Sequence, residues 1–536
     1  MNASSSTSPP PAHWVAEQDD TFLPWSIGDL LRDTVRQCPD RTALIVPANA
    51  EGRVEQRWSY RELLAEAELA ASALLRRFAP GDRVATWAAG SSEILMLHLG
   101  ASLAGIVLVT LNPASRSGEL QYLLEQGEVT GLFLDRVYRK MDNEAVINGL
   151  RPALPKLESV YYLDQWADFV QRAGGRTVPL PAVSPDGCAL IVFTSGTTGK
   201  PKGAMLRHAG VVNNARLTNR RMEVAPGSTW LNMLPMFHVG GSVTMTLGCF
   251  ANQGTQVLLP EFSPEGMLDA LQRYAVNITM AVPTMLVAAL QSEQFAHTDL
   301  SKLEVMVTGG TVVVPELVLS VRQRFGCEVM VLFGQTEAGG AMCVTRRGDS
   351  VERLTSSVGT PLPLSQARIV LADGRTAAMG EVGEICVKTR CAMMEYFRMP
   401  EKTQETLDAE GWVHTGDLGV LREDGYLQIA GRLKDMIIRG GENIYPREIE
   451  DLLAEHPAVL QSAVFGVPDE KWGEQVAAAV VLKPGQHCDS DTLIAFLDGR
   501  IARHKVPKSW HFVTSLPITA TGKIQKHVLR EQVLPA

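Results

Sequence analysis

The sequence predicts an α/β protein built on doubly wound parallel sheets, and three features carry that prediction. Short apolar runs rich in branched side chains recur along the chain, at residues 106–111, 189–193, 229–234, 278–282, 304–308 and 328–333. They have the length of buried strands and are bounded by turn residues. Helical patterns lie between them, so strand and helix alternate, and successive strands must pair in parallel. Each run also stops in glycine, proline or a polar residue: Asn112-Pro113, Pro235-Met-Phe-His238, Pro283-Thr-Met, Gly309-Gly310 and Gly334-Gln-Thr-Glu337. Open α/β sheets bind ligands just past the carboxyl ends of their strands. Several loops are therefore expected to converge on one crevice.

Taken in order, residues 26–73 read helix, strand, helix. Ile27, Leu30, Leu31 and Val35 are spaced for one apolar face, and residues 43–46 form a strand. Ser59 is placed to cap the next helix, with Glu62 three residues on completing a capping box. Residues 83–87 form a strand and 94–104 a helix. After residues 229–234 comes a small-residue helix at 242–251, then a strand at 256–259. Later strands are expected at 381–387, 458–467 and 476–482, with an amphipathic helix at 447–455. No internal repeat is visible.

The 536 residues, 45% hydrophobic and 20% charged, suffice for about three or four domain-sized units with a sizeable core. A net charge of −9 without any basic block argues against nucleic acid as the main partner. Eight cysteines lie scattered, with no C-x-x-C pair and no linear metal-ligand spacing, as in a chain of reduced thiols. Residues 1–12 are polar and proline-rich and lack the basic and apolar regions of a secretory signal. Residues 1–25 are expected to be a disordered or extended tail. No apolar run reaches about 18 residues, the length a membrane span requires. The expected location is the cytoplasm.

The strand at 189–193 runs into Thr194-Ser-Gly-Thr-Thr-Gly-Lys-Pro-Lys-Gly203. Glycines allow close backbone approach, hydroxyls offer hydrogen bonds and two lysines bring positive charge. Successive backbone N–H groups in such a loop form a nest for anions, so a phosphate ligand is expected. The spacing is not that of a Walker A loop: two residues separate Gly196 from Gly199, and Pro201 follows Lys200. A kinase or ATPase of the P-loop type is therefore disfavoured.

This loop and four later motifs, in the same order, resemble the adenylate-forming enzymes, the superfamily of acyl-CoA synthetases, luciferases and peptide-synthetase adenylation domains. The resemblance spans nearly the whole chain past its tail. It implies a large N-terminal domain, residues 26–433, of doubly wound sheets plus a β-barrel-like subdomain. A small mobile α+β domain, residues 434–536, would follow, with Lys434 at the hinge. It also implies that Thr194, Ser195, Gly196, Thr197, Thr198, Gly199, Lys200 and Lys202 hold the ATP phosphates. Gly309, Gly310 and Thr311, with Phe333, Gly334, Gln335 and Thr336, would hold the adenine. Where the family often has tyrosine this chain has Phe333, which keeps stacking and loses a hydroxyl. Glu337 would hold Mg2+, with Thr194 a second candidate. Asp417, a pure acceptor suited to a vicinal diol, would take the ribose with support from Arg432. His238, Val239, Val282 and Gly309 would line the acyl pocket, with His238 gating or positioning at its entrance. Lys523 would be the adenylation lysine, a compact charge for the transition state. Gly440, Gly441, Glu442 and Asn443 would lie on the path of the thiol.

What the resemblance implies chemically is a pair of half-reactions. A carboxylate attacks the α-phosphate of Mg-ATP to give acyl-AMP and pyrophosphate, and a thiol then takes the acyl group and releases AMP. The run Lys434-Asp-Met-Ile-Ile-Arg-Gly-Gly-Glu-Asn-Ile-Tyr-Pro446 is similar to fatty-acid and aryl-acid CoA ligases, and the C-terminal tail is most like medium-chain acyl-CoA synthetases. Coenzyme A is thus the expected thiol. The segments 239–249 and 281–286 carry no charged residue, which favours an apolar acid over an amino acid. Aryl and steroid side-chain acids, loading of a carrier protein, and a non-catalytic nucleotide-binding protein remain as alternatives. The oligomeric state, a homodimer among the options, stays open.

Overall fold

The structure is a computed structural model that describes residues 10–48, 54–172, 178–194, 200–310, 313–517 and 524–533. The chain divides into two compact units. One comprises Val15–Gln366 with Val387–Val413; the other comprises Met1–Trp14, Ala367–Cys386 and His414–Ala536.

The larger unit carries the predicted doubly wound sheets. In its nine-stranded sheet the strands Glu328–Gln335, Val305–Gly309, Ile278–Met280, Thr229–Asn232, Thr255–Leu258 and Thr42–Val46 run parallel in that spatial order. Antiparallel strands close its two sides, Gln56–Ser59 beside Thr42–Val46 on one and, on the other, Gly340–Val344 beside Glu328–Gln335 with Thr360–Pro361 beyond it. These short edge strands sit on hairpin returns, which a strand–helix alternation does not reveal. The six-stranded sheet has a parallel body of Val107–Thr110, Arg83–Trp87, Gly131–Leu134, Ser159–Tyr162 and Cys188–Thr194. Its edge is Lys202–Arg207, antiparallel to Cys188–Thr194. The strands before and after the glycine-rich loop thus form an antiparallel pair.

Helix boundaries follow the local chemistry. The helix Ile27–Gln37 buries Ile27, Leu30 and Leu31 as the spacing predicts, and a capping box of Ser26 with Asp29 starts it. The predicted box of Ser59 with Glu62 is present at the start of Tyr60–Leu75, with the Glu62 carboxylate accepting from the Ser59 backbone N–H at 2.7 Å. The small-residue helix expected at 242–251 begins earlier and differently. Gly240–Leu247 is a π-helix, entirely buried, and only Gly248–Ala251 is α-helical. At Gly241 an added Cβ would stand 2.4 Å from the Pro235 carbonyl oxygen, so glycine is required there. The Gly241 carbonyl, released from regular helix bonding, accepts from Asn232 Nδ2 and Thr246 Oγ1.

The smaller unit carries a five-stranded sheet, ordered His13–Val15, Gln366–Val370, Gly383–Lys388, Trp412–Leu421, Leu427–Arg432. From residue 10 onward the N-terminal segment is extended against this sheet, with Ala12 fully buried and its N–H donating to Ala377 O. The C-terminal α+β portion pairs Val459–Asp469 with Gly473–Leu482 and adds Ser509–Phe512 in parallel. Helix Pro446–Ala454 packs Ile449 and Leu453 into its core beside Ile437, Ile444 and Val464. Among the described residues, no helix is long and apolar enough to cross a membrane.

Candidate active site

The parallel register of the large sheet brings several predicted residues to one end. Gly309 pairs with Leu332 and Met280 with Val307, so the segments after Met280, Gly309 and Gln335 leave the sheet side by side. Glu337 sits on a short 3₁₀ turn, Thr336–Ala338, immediately after its strand. Its Oε1 accepts from Thr194 Oγ1 at 3.1 Å and from the Tyr396 hydroxyl at 2.6 Å. Two predicted residues 143 positions apart, Thr194 and Glu337, are therefore in direct contact.

Tyr396 was not anticipated. It is 1% exposed, and burial together with the neighbouring Glu337 carboxylate pushes its phenol well above the usual tyrosine range. It reaches the site because residues 393–397 lie along the glycine-loop hairpin. Met393 N–H donates to Glu337 O, Met394 N–H to Met205 O and Phe397 N–H to Gly203 O. The Tyr396 ring also carries Lys202, whose Nζ lies 4.2 Å from the ring centroid. Lys200 is held in the same manner over Tyr122, at 5.2 Å, and the Tyr122 hydroxyl donates to Pro201 O. Both loop lysines thus rest on tyrosine faces, a cation–π arrangement that orients charge without neutralising it. Neither tyrosine belongs to a glycine-rich motif; the only sequence signal is an aromatic residue without an assigned partner.

The glycines near the adenine segment divide by cause. At Gly309 an added Cβ would lie 2.1 Å from Leu332 O, so strand packing alone demands glycine there. At Gly310 the backbone has φ +79° and an added Cβ meets nothing within 4 Å, leaving an open face. Gly334 sits at a bulge where a Cβ would be 2.2 Å from Gly340 O. Phe333 and Gln335 are half-buried, and Thr336 is buried.

His238 lies in the tight turn between Thr229–Asn232 and the π-helix. Its Nδ1 accepts from Gly240 N–H at 3.1 Å, and its carbonyl takes both the Gly241 N–H and the Ser242 hydroxyl. Thr110 Oγ1 donates to the neighbouring Phe237 carbonyl at 2.8 Å, tying the turn to the other sheet. The imidazole is thus held by a backbone N–H. Val239 is 4% exposed, and Val243, Met245, Leu247, Cys249 and Ala281 are equally buried, while Val282 is half-buried at the start of helix Pro283–Gln291.

In the smaller unit, Asp417 and Arg432 face each other across antiparallel strands, with Arg432 Nε 3.0 Å from Asp417 Oδ1. The Asp417 side chain is nearly buried and the Arg432 side chain 37% exposed, so the pair presents its charge from one side. Lys434 lies on a 3₁₀ turn, Leu433–Asp435, that directly follows this strand. Gly440 and Gly441 are the two turn residues of the hairpin joining Ile437–Arg439 to Glu442–Ile444, since Arg439 pairs with Glu442. Their φ values of +60° and +88° are those of a primed two-residue turn, which glycine alone adopts without strain. Gly440, Gly441, Glu442 and Asn443 are all exposed. The Trp472 ring covers Gly440 at 2.7 Å from where a Cβ would be, and the cations of Arg439 and Lys471 each lie 4.9 Å from that ring. Ser195, Gly196, Thr197, Thr198, Gly199, Thr311 and Lys523 lie outside the described residues.

Residues 31–397 match the AMP-binding enzyme family, and residues 448–523 match the AMP-binding enzyme C-terminal domain. The YngI protein of Bacillus subtilis (strain 168), which carries an acyl-CoA synthetase name, is 35% identical over 95% of this chain and 97% of its own. The human mitochondrial medium-chain acyl-CoA ligase ACSF2 is 33% identical over 95% of this chain and 87% of its own. Among solved structures, ATP-bound MatB from Rhodopseudomonas palustris superposes with a TM-score of 0.85 at 31% identity, covering 95% of this chain and 99% of that one. The anthranilate CoA ligase AuaEII, in complex with anthranoyl-AMP, superposes with a TM-score of 0.85 at 25% identity over 96% and 98%.

Proposed function

We propose that this chain, which belongs to the AMP-binding enzyme family and is an AMP-forming acid–CoA ligase, activates an apolar carboxylic acid, a medium-chain fatty acid in the first instance, and passes the acyl group to coenzyme A. The observation that most supports an apolar acid is the uncharged, buried segment from Val239 to Cys249 with Ala281 behind it. An amino acid would need a carboxylate for its ammonium group, and these segments offer none.

The substrate carboxylate is already an anion, so adenylation needs positioning and charge neutralisation more than a strong base. Lys200 and Lys202, held over the rings of Tyr122 and Tyr396, would meet the phosphate oxygens. Asp417, braced by Arg432, would accept the ribose hydroxyls. The donor set around Glu337 consists of hard oxygens, which suits Mg2+, and Thr194 and Glu337 would hold it. That ion, when bound, would supply positive charge to offset the charge that builds on the phosphate oxygens. His238, pinned through Nδ1, would fix the mouth of the acyl pocket. Lys523 would stabilise the adenylation transition state, and rotation about Lys434 would then exchange it for the Gly440-Gly441 hairpin, admitting the thiol. On this reading residues 434–536 move as the C-terminal domain, and the enzyme works in the cytoplasm.

The test is to incubate the purified protein with Mg-ATP and decanoate, with and without coenzyme A, and to follow AMP and decanoyl products by mass spectrometry. Decanoyl-CoA formed only when coenzyme A is present supports the whole reading. Decanoyl-AMP without thioester would transfer the second step to a carrier protein. Absence of any decanoyl product, with turnover of aryl or steroid acids, would overturn the fatty-acid assignment and keep the ligase.

A further inference from the structure

Away from these residues, on the five-stranded sheet of the smaller unit, three side chains of different chemistry converge. Glu384 and Cys386 are two positions apart on strand Gly383–Lys388 and so project from the same face. His414 lies on the adjacent strand Trp412–Leu421. Its Nδ1 is 2.8 Å from Glu384 Oε2 and 3.4 Å from Cys386 Sγ, and all three atoms lie within 4.8 Å of one another. The thiol is fully buried, whereas the His414 and Glu384 side chains are 26% and 19% exposed, which leaves one solvent-facing approach.

From this geometry we infer that Glu384, Cys386 and His414 form a binding site for a thiophilic divalent cation of the Zn2+ class, with a fourth position open to water. Tetrahedral Zn2+ bonds of about 2.0–2.3 Å to N, O and S place ligand atoms about 3–3.7 Å apart, close to the separations here. The mixture of one thiolate, one imidazole and one carboxylate selects a borderline-soft ion over Mg2+ or Ca2+, which take oxygen ligands alone. The ligands are also oriented from behind. Gly416 N–H donates to the other carboxylate oxygen, Glu384 Oε1, at 2.9 Å, and Thr415 Oγ1 donates to Ile385 O at 2.7 Å, locking the two strands in register. Metal entry releases the thiol proton and the proton shared between imidazole and carboxylate, leaving S⁻, neutral Nδ1 and COO⁻ as ligands. The bound ion would clamp the strand that continues through Thr415 to Asp417. The inference does not depend on the identity of the acid.

Cobalt(II) substitution tests it on the full-length, metal-stripped protein without nucleotide. One equivalent of Co2+ per chain should produce a near-ultraviolet thiolate-to-cobalt charge-transfer band with visible bands of tetrahedral intensity, displaced by one equivalent of Zn2+. The charge-transfer band should vanish in Cys386→Ser, and His414→Ala should weaken Co2+ binding by at least ~10–100-fold. A wild-type protein that develops no such band overturns the inference, whatever the variants do. So does a band that survives Cys386→Ser, since it would belong to another cysteine.

Discussion

Two parts of the molecule, each assigned to one half of the same reaction, are built in opposite ways. Around Glu337 the chain assembles side chains: a carboxylate, two hydroxyls and two ring-supported lysines, anchored by strand ends and by the backbone bonds of residues 393–397. Around Gly440 and Gly441 it presents an exposed two-residue turn whose defining property is the absence of side chains. Charge must be held in fixed positions where phosphate is attacked, and preorganised polar groups in a partly buried site do that. A thiol path needs clearance, which left-handed glycines supply. The contrast teaches that the first region should fail by losing groups and the second by gaining them.

The largest expected effect comes from Lys523→Ala, which should lower adenylation about 10²–10³-fold, read as pyrophosphate release, and leave thioester formation from supplied acyl-AMP nearly intact. Equal loss in both half-reactions would erase the contrast. Glu337→Ala should follow with about a 10²-fold loss confined to adenylation, because it removes the carboxylate that the Thr194 and Tyr396 hydroxyls share. Gly441→Leu has room for the side chain but adopts φ +88°, a strain of roughly 1–2 kcal/mol. It should slow thioester formation about tenfold or more by obstructing the path, with pyrophosphate release unchanged, a split that stopped-flow traces would resolve. Tyr396→Phe removes a single hydrogen bond to a charged group, about 1.5 kcal/mol, and should cost adenylation about tenfold.

Acid should separate the two units with little effect on turnover near neutrality. In the larger unit burial holds His98 and His208 neutral, each with its pKa lowered to about 4. Between about pH 6.5 and 4 the unfolded chain binds protons there that the native state refuses, so stability falls as pH falls, by up to about 3 kcal/mol per histidine. In the metal-free protein His414 of the smaller unit goes the other way. Hydrogen bonds with Cys386 and Glu384 raise it to about 10, so its contribution is complete below pH 6.5 and is lost as pH rises towards 10. Hydrogen exchange followed by mass spectrometry at pH 5 and pH 9 should show the larger unit loosening in acid and the strand around His414 loosening in alkali. Loss of protection in both units together at pH 5 would contradict this assignment.

Much of this contrast was legible in the linear sequence, for a physical reason: phosphate-binding loops and glycine turns are local, and their residue types are dictated within a few positions. The glycine-rich loop after Thr194, the capping box at Ser59 and the parallel strands of the large sheets are legible in that way, whereas Glu337 and the Asp417–Arg432 pair are weak signals taken alone and came through the family resemblance. Tyr396 was not legible, because it reaches Glu337 through an irregular segment hydrogen-bonded to the strand Lys202–Arg207, whose first two residues were read as part of the loop. The π-helix at Gly240–Leu247 escaped because a small apolar run does not distinguish α from π bonding. The Glu384–Cys386–His414 cluster escaped because cross-strand neighbours have no fixed linear spacing.

The most direct measurement of the central claim is to time pyrophosphate release and thioester formation separately in the wild type, Glu337→Ala and Gly441→Leu. The account predicts crossed losses: Glu337→Ala fails at pyrophosphate release yet converts supplied acyl-AMP, and Gly441→Leu releases pyrophosphate yet accumulates acyl-AMP. Parallel losses of both steps in both variants would contradict it, and would make the two regions one site with one task.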